Sequence, residues 1–153
     1  MIDLTIDTCV LVDASQKGEP GFACDSVELL AEFQKNAELY VAVDHQGFVL
    51  NEYDQNINAS MFASAWLRRF ADRIRKIRTG PLPRALRTQL DEAHFSVPDR
   101  RFVQVARLSE VRVIVTRDPD YSPEVCRILR HHENIRVVGA KEALKFVRTV
   151  SGA

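Results

Sequence analysis

The sequence predicts an α/β fold, a three-layer α/β/α sandwich around a central, mainly parallel sheet. Short, near-continuous apolar runs such as Leu39 to Val43 and Val111 to Val115 read as strands buried on both faces. Between such runs lie segments whose apolar residues recur at spacings of three and four, the period of a helix with one buried face. The two kinds alternate along the chain, as strands and helices do in parallel α/β units. With 153 residues and 46% hydrophobic content, the chain fits one domain, residues 1–153, with enough apolar material for a core.

Taken in order, Leu4 to Ile6 belong to a first strand that ends near Asp7 and passes into a loop marked by Gly18, Pro20 and Gly21. Asp25 or Ser26 can cap a helix whose apolar positions are Val27, Leu29, Leu30 and Phe33, with Glu28 in its first turn. Leu39 to Val43 form the second strand, ended by Asp44-His45-Gln46-Gly47. Phe48, Val49, Leu50, Tyr53 and Ile57 have helical spacing, with a hairpin after Gly47 as the alternative. The stripe Met61, Phe62, Ala65, Trp66, Phe70, Ile74 and Ile77 predicts the longest helix, running up to the break at Gly80-Pro81-Leu82-Pro83, with a basic face between the apolar positions. Residues 84–93 read as a helix, and Asp99 starts another through Phe102, Val103 and Ala106. Val111 to Val115 is the clearest strand; Pro123 to His131 is a helix, Ile135 to Val138 a strand, and Lys141 to Val150 a closing helix.

The longest apolar run is about six residues, far short of the roughly 20 a membrane-spanning helix requires. The first residues carry neither a basic region nor a small-residue cleavage site, so a cytoplasmic location is expected. Cys9, Cys24 and Cys126 are odd in number and lack zinc-site spacing, which predicts reduced, mostly buried thiols.

Net charge is zero but unevenly spread. Residues 1–60 hold eleven acids against Lys17 and Lys35, while residues 61–87 hold eight bases against Asp72. Arg68, Arg69, Arg73, Arg75, Lys76 and Arg78, with Arg117 further on, are candidate nucleic-acid contacts. An acidic site beside a basic arm suits a metal-dependent enzyme acting on a polyanion, since the arm attracts phosphates and a metal offsets the acids.

Four carboxylates, Asp7, Glu52, Asp99 and Asp118, stand where strands end or helices begin, which is where ligands gather in an open α/β sheet. Carboxylates brought into one cleft repel each other unless a cation joins them, and a hard divalent ion with oxygen ligands does this. Asp120 is a fifth candidate. Taken singly, each acid is also compatible with an ordinary solvated position: Asp99 with an N-cap, Asp120 with the cap of the helix near Pro123, and Glu52 with competition from Asp44 and Asp54. Trp66 reads as core, and His131-His132 as a solvated helix end, because adjacent residues do not share a helix face.

Four segments resemble the PIN-domain nucleases, a family that includes the ribonuclease toxins of toxin–antitoxin pairs and several RNA-processing enzymes. Ile6-Asp7-Thr8-Cys9-Val10-Leu11-Val12-Asp13 is similar to the family's first-strand motif, and Val49-Leu50-Asn51-Glu52-Tyr53 to the helix that supplies its glutamate. Asp99 to Ala106 resembles its Asp-x-x-aliphatic-aliphatic-x-x-Ala helix start. Val113-Ile114-Val115-Thr116-Arg117-Asp118-Pro119-Asp120-Tyr121 resembles its strand and loop reading Val-Thr-x-Asp-x-Asp-Phe. The four occur in the family's order. Cys9, where the family more often has Asn or Ser, and Glu110-Val111, where it often has Gly, depart from the pattern.

The resemblance implies a PIN-like fold and a metal-dependent endonuclease hydrolysing phosphodiester bonds, with RNA as substrate and Mg²⁺ or Mn²⁺ as cofactor. Asp7 and Asp118 would be direct metal ligands, Asp99 a water-orienting or second-metal group, Glu52 a ligand or general base, Thr116 a hydroxyl holding a ligating carboxylate or the phosphate, and Asp120 a further ligand. It also implies a homodimer and, for a toxin, an antitoxin protein as partner. Two other classes compete. A non-catalytic PIN-like domain binding RNA or a partner is compatible with Cys9. A response-regulator receiver would use Thr116 and Lys141, but lacks the paired acids after its first strand and the acceptor Asp after its third.

Overall fold

The computed structural model describes residues 1–15 and 20–152; Gly18, expected to mark the first loop, lies outside them. Strands β1 (Ile2–Ile6), β2 (Leu39–Asp44), β3 (Ile74–Ile77), β4 (Val113–Val115) and β5 (Arg136–Val138) form one sheet in the order β3-β2-β1-β4-β5, with every neighbouring pair parallel. Eight helices are found among the described residues: α1 (Thr8–Ala14), α2 (Pro20–Lys35), α3 (Phe48–Asn56), α4 (Phe62–Arg69), α5 (Arg84–Glu92), α6 (Arg100–Ala106), α7 (Pro123–Glu133) and α8 (Ala140–Ser151). None is long and apolar enough to cross a membrane. The chain winds outward from β1 through β2 to β3, then returns to the other side of β1 with β4 and β5. The order therefore reverses between β1 and β4, and the crevice beyond their carboxyl ends is the usual place for a ligand in such sheets.

The pleat sends alternate residues to opposite faces, which makes the three layers. Leu4, Ile6, Val41, Val43, Val113 and Val115 pack with Val10 and Leu11 of α1, Leu29, Leu30 and Phe33 of α2, and Ala143, Leu144 and Val147 of α8. Ile114, on the other face, packs with Leu86 and Leu90 of α5, Val103 and Ala106 of α6, and Val125, Ile128 and Leu129 of α7. Burying one Leu or Ile side chain contributes about 1.5–3 kcal/mol. The double-faced cover explains why β2 and β4 read as near-continuous apolar runs.

The segment expected to be the longest helix is the main correction. Helix α4 stops at Arg69, a 3-10 turn spans Ala71–Arg73, and Ile74–Ile77 form the edge strand β3. Ile74 and Ile77 are spaced as on a helix, but their β-branched side chains equally suit a strand, and β2 has an outer edge whose amides and carbonyls need partners. Register adds a second reason. Arg75 pairs with Ala42, on the same face as Tyr40 and its partner Asp3, so the Arg75 guanidinium reaches the buried Asp3 carboxylate.

The continuous basic face disappears with that helix. Arg68 donates to Ser64 Oγ (2.8 Å), Arg73 donates to the carbonyls of Phe33 (3.1 Å) and Asn36 (2.9 Å), and Arg69 lies against the Phe70 ring. Lys76 and Arg78 are exposed at the sheet edge. Trp66, Phe70 and Ile77 of the apolar stripe are core, while Phe62 and Ala65 are exposed: the Trp66 indole N–H donates to Leu30 O (2.9 Å), and its ring meets Phe33 at 4.8 Å and Phe70 at 5.5 Å.

Smaller differences have local causes. Helix α1 begins directly after Asp7, and α2 opens at Pro20, where a missing amide proton is tolerated, so Gly21, Asp25 and Ser26 fall inside the helix. Strand β4 is shorter than expected, because Arg112 takes a left-handed backbone (φ 51°). Cys24 is exposed, while Cys9 and Cys126 are half-buried; all three are free thiols.

Candidate functional site

Asp7 is the hinge between β1 and α1. Its N–H extends the sheet ladder to Val115 O (2.9 Å), which fixes the backbone, and its side chain is then held from two sides. Oδ1 accepts the Thr8 N–H (2.8 Å), and Oδ2 accepts the Thr116 hydroxyl (2.6 Å). Thr116 stands beyond β4, with its own N–H on Val138 O (2.9 Å), and its oxygen accepts the Asp118 N–H (3.0 Å). One hydroxyl thus sets the positions of two carboxylates at the ends of two neighbouring strands.

Cys9 does not displace Asp7. Its sulfur lies 3.6 Å from both Asp7 Oδ2 and Thr116 Oγ1. Burial, and next the Asp7 charge, push the thiol up to about 11, so it remains a protonated donor.

Glu52 arrives from α3. The turn before that helix places Gly47 at φ 92°, a left-handed position that favours glycine, while Asp44 accepts the amides of Phe48 (2.9 Å) and Val49 (2.8 Å). Asp44, a competitor for the glutamate's role, is therefore a helix cap. Glu52 Oε2 accepts the Thr8 hydroxyl (2.5 Å), and the adjacent Tyr53 hydroxyl donates to Ile6 O (2.5 Å), tying α3 to β1.

Asp99 precedes α6 but makes no side-chain bond to the helix amides; its carboxylate accepts the Ser96 hydroxyl (2.6 Å) instead. Asp118 Oδ1 accepts the Asp120 N–H (2.9 Å). Asp120 does not cap α7, because Ser122 does so by accepting the Val125 N–H (3.2 Å).

These groups converge. Asp7, Thr8, Glu52, Asp99 and Asp118 line one open cleft of about 310 Å³ at the carboxyl ends of β1 and β4, with Asn56 and Arg117 at its walls. Among the described residues, Asp99, Asp118 and Asp120 each offer an oxygen within 4.8 Å of the others, a group that could bind a metal ion. Asp7 and Glu52 stand outside this closest trio.

Electrostatics reports the crowding. Burial, helped by the charges of Asp118 and Asp99, raises Asp7 from 3.8 to about 6, although the bonds from Thr116 and Thr8 oppose it. Asp99 is raised as well, by burial and then by Asp118 and Asp120, against the Ser96 hydrogen bond. Arg117, which lines the cleft, directs Nε and Nη2 to the buried Asp13 at 2.7 and 2.9 Å. That pairing gives the expected phosphate contact a structural partner and neutralises an acid that sequence reasoning passed over.

Tyr121 was also missed. It is buried against Phe95 (5.0 Å), its hydroxyl has no hydrogen-bond partner, and burial followed by the charges of Asp7, Asp99 and Asp118 holds its phenol well above the ordinary range. Its position, three residues after Asp118, was the available signal. The oxygen-only acidic trio, and two carboxyls raised by burial and then by their acidic neighbours, fit a hard divalent cation with its waters. Compared with known proteins, the chain matches no family model and no curated sequence, so its chemistry is read from this geometry.

Proposed function

We propose that this chain is a Mg²⁺- or Mn²⁺-dependent endonuclease that hydrolyses phosphodiester bonds in RNA. The observation that carries the proposal is the convergence of Asp7, Glu52, Asp99 and Asp118 on one cleft at the strand-order reversal, with Asp120 completing the acidic trio. The choice of RNA, and the PIN-like assignment, rest on the resemblance of the four motifs. The same resemblance extends the proposal to a homodimer and an antitoxin partner.

Asp99, Asp118 and Asp120 would hold the ion, with Asp7 on the adjacent wall keeping a free lone pair on Oδ1. A bound ion of this kind supplies a water of lowered pKa and offsets charge on the phosphate. The protein's part is positioning. Thr116 fixes Asp7 and Asp118 relative to each other, and Thr8 holds Glu52 facing the cleft, where its carboxylate accepts a proton from the attacking water. Ser96 steadies Asp99. Lys76 on the edge strand and Arg78 just after it, both exposed, draw the polyanion toward the carboxyl end of the sheet.

The test is cleavage of a mixed single-stranded RNA pool with Mn²⁺, Mg²⁺ or EDTA, alongside Asp7→Asn and Asp118→Asn. Metal-dependent cutting lost in both variants is the expected result. A folded wild-type protein that neither cuts RNA nor binds Mn²⁺ would overturn the proposal.

A further inference from the structure

A second concavity adjoins the carboxylate cleft. It has a volume of about 270 Å³ and is walled by Phe48, Val97, Pro98 and Phe102, with Asn51 and Gln55 at its rim and Arg101 on one side. Glu52 lines both spaces, so the two adjoin at that residue. Phe48 is 46% exposed although it opens a helix beside the core, and the Arg101 guanidinium carbon sits 3.8 Å from its ring centroid.

Arg101 differs from its neighbours. Arg100 is bound to Asp91 and Phe95 O, Arg107 to Glu133, Arg112 to Glu133 O, and Arg117 to Asp13. Among the described residues Arg101 has only the Phe48 ring as a partner, so the donors of its planar fork remain available to a ligand.

Resting on the nuclease reading, we infer that this concavity holds one unpaired nucleobase of a single-stranded nucleic acid whose neighbouring phosphate lies over the carboxylate cleft. The chemistry of the walls selects that occupant. A nucleobase is flat and apolar on its faces and polar at its edges. The site offers a half-exposed phenyl ring with an arginine stacked on it as a platform, and two side-chain amides for edge hydrogen bonds. The volume lies below the roughly 300–1,000 Å³ of ordinary small-molecule pockets, which suits one base and excludes a paired duplex. Arg101 also places positive charge beside an otherwise acidic cleft, where the strand's next phosphate would pass.

Binding is measured by fluorescence anisotropy in Ca²⁺, so that the result does not depend on cleavage. The probes are a labelled single-stranded RNA, the same sequence as DNA, the RNA annealed to its complement, and an abasic strand that keeps the phosphates. Phe48→Ala should weaken binding of the intact RNA and DNA strands on the order of tenfold, the cost of losing one stacked base. It should leave the abasic strand unchanged, and Phe48→Tyr should bind like wild type. Arg101→Gln should weaken both intact and abasic strands. Equal loss on intact and abasic strands with Phe48→Ala, no loss with either, or duplex binding as tight as single-strand binding would overturn the inference. Absence of RNA cleavage with this binding pattern intact would overturn only the nuclease reading.

Discussion

Replacing Asp7 with Asn in the metal-free protein should stabilise the fold while abolishing metal-dependent activity. The carboxyl is 6% exposed and raised from 3.8 to about 6, so its ionisation in the fold costs about 3 kcal/mol more than in the unfolded chain. Asn removes that cost. Its amide oxygen can still accept the Thr8 N–H, but its NH₂ faces Thr116 Oγ1, which already accepts the Asp118 N–H, and a strained pairing there costs about 1 kcal/mol. The net expectation is a gain of about 1–2 kcal/mol at pH 7, or a melting temperature roughly 4 °C higher. The sign follows from proton linkage: Asp7 is neutral in both states below about pH 4, so the variant's advantage is absent there, grows between about pH 4 and 6, and is complete above. Thermal melts in EDTA from pH 4 to 8 measure it, and adding Mn²⁺ should raise wild type more than Asp7→Asn. A variant that melts lower than wild type by the same amount at every pH would refute the reasoning, because hydrogen bonding and not charge would then dominate at Asp7.

Asp118→Asn should lower Mn²⁺ affinity at least tenfold by calorimetry, since it removes a member of the acidic trio; unchanged affinity would place the ion elsewhere. Tyr121→Phe should stabilise the metal-free protein by about 1 kcal/mol in urea unfolding at pH 7, because the hydroxyl is buried without a partner, whereas a loss of that size would reveal a bound water holding it. Arg75→Ala should cost about 3 kcal/mol by leaving the Asp3 carboxylate buried without its cation, although the amides of Glu110 and Val111 still reach it. A near-neutral result would assign Arg75 to ligand contact instead of structure.

What the sequence determined by itself is the set of features with a local or periodic signature. The parallel sheet was legible because β2 and β4, covered on both faces, are apolar at nearly every position, and α3, α5, α6, α7 and α8 because each keeps one apolar face. The carboxylates were legible because Asp7 and Asp118 follow strands and Asp99 precedes a helix, and an α/β sheet gathers such positions. Edge strand β3 was not legible: Ile74 and Ile77 have the spacing of a helix while their β-branched side chains suit a strand, and only the open edge of β2 and the buried Asp3 awaiting Arg75 decide between them. The acids themselves were equally ambiguous. Asp44 competed with Glu52 in sequence and Asp13 drew no attention, yet tertiary structure gives Asp44 to the amides of α3 and Asp13 to Arg117. Charge identity is local, but whether a carboxylate is neutralised by the protein or left for a cation depends on partners far away in the chain, and only folding brings those together.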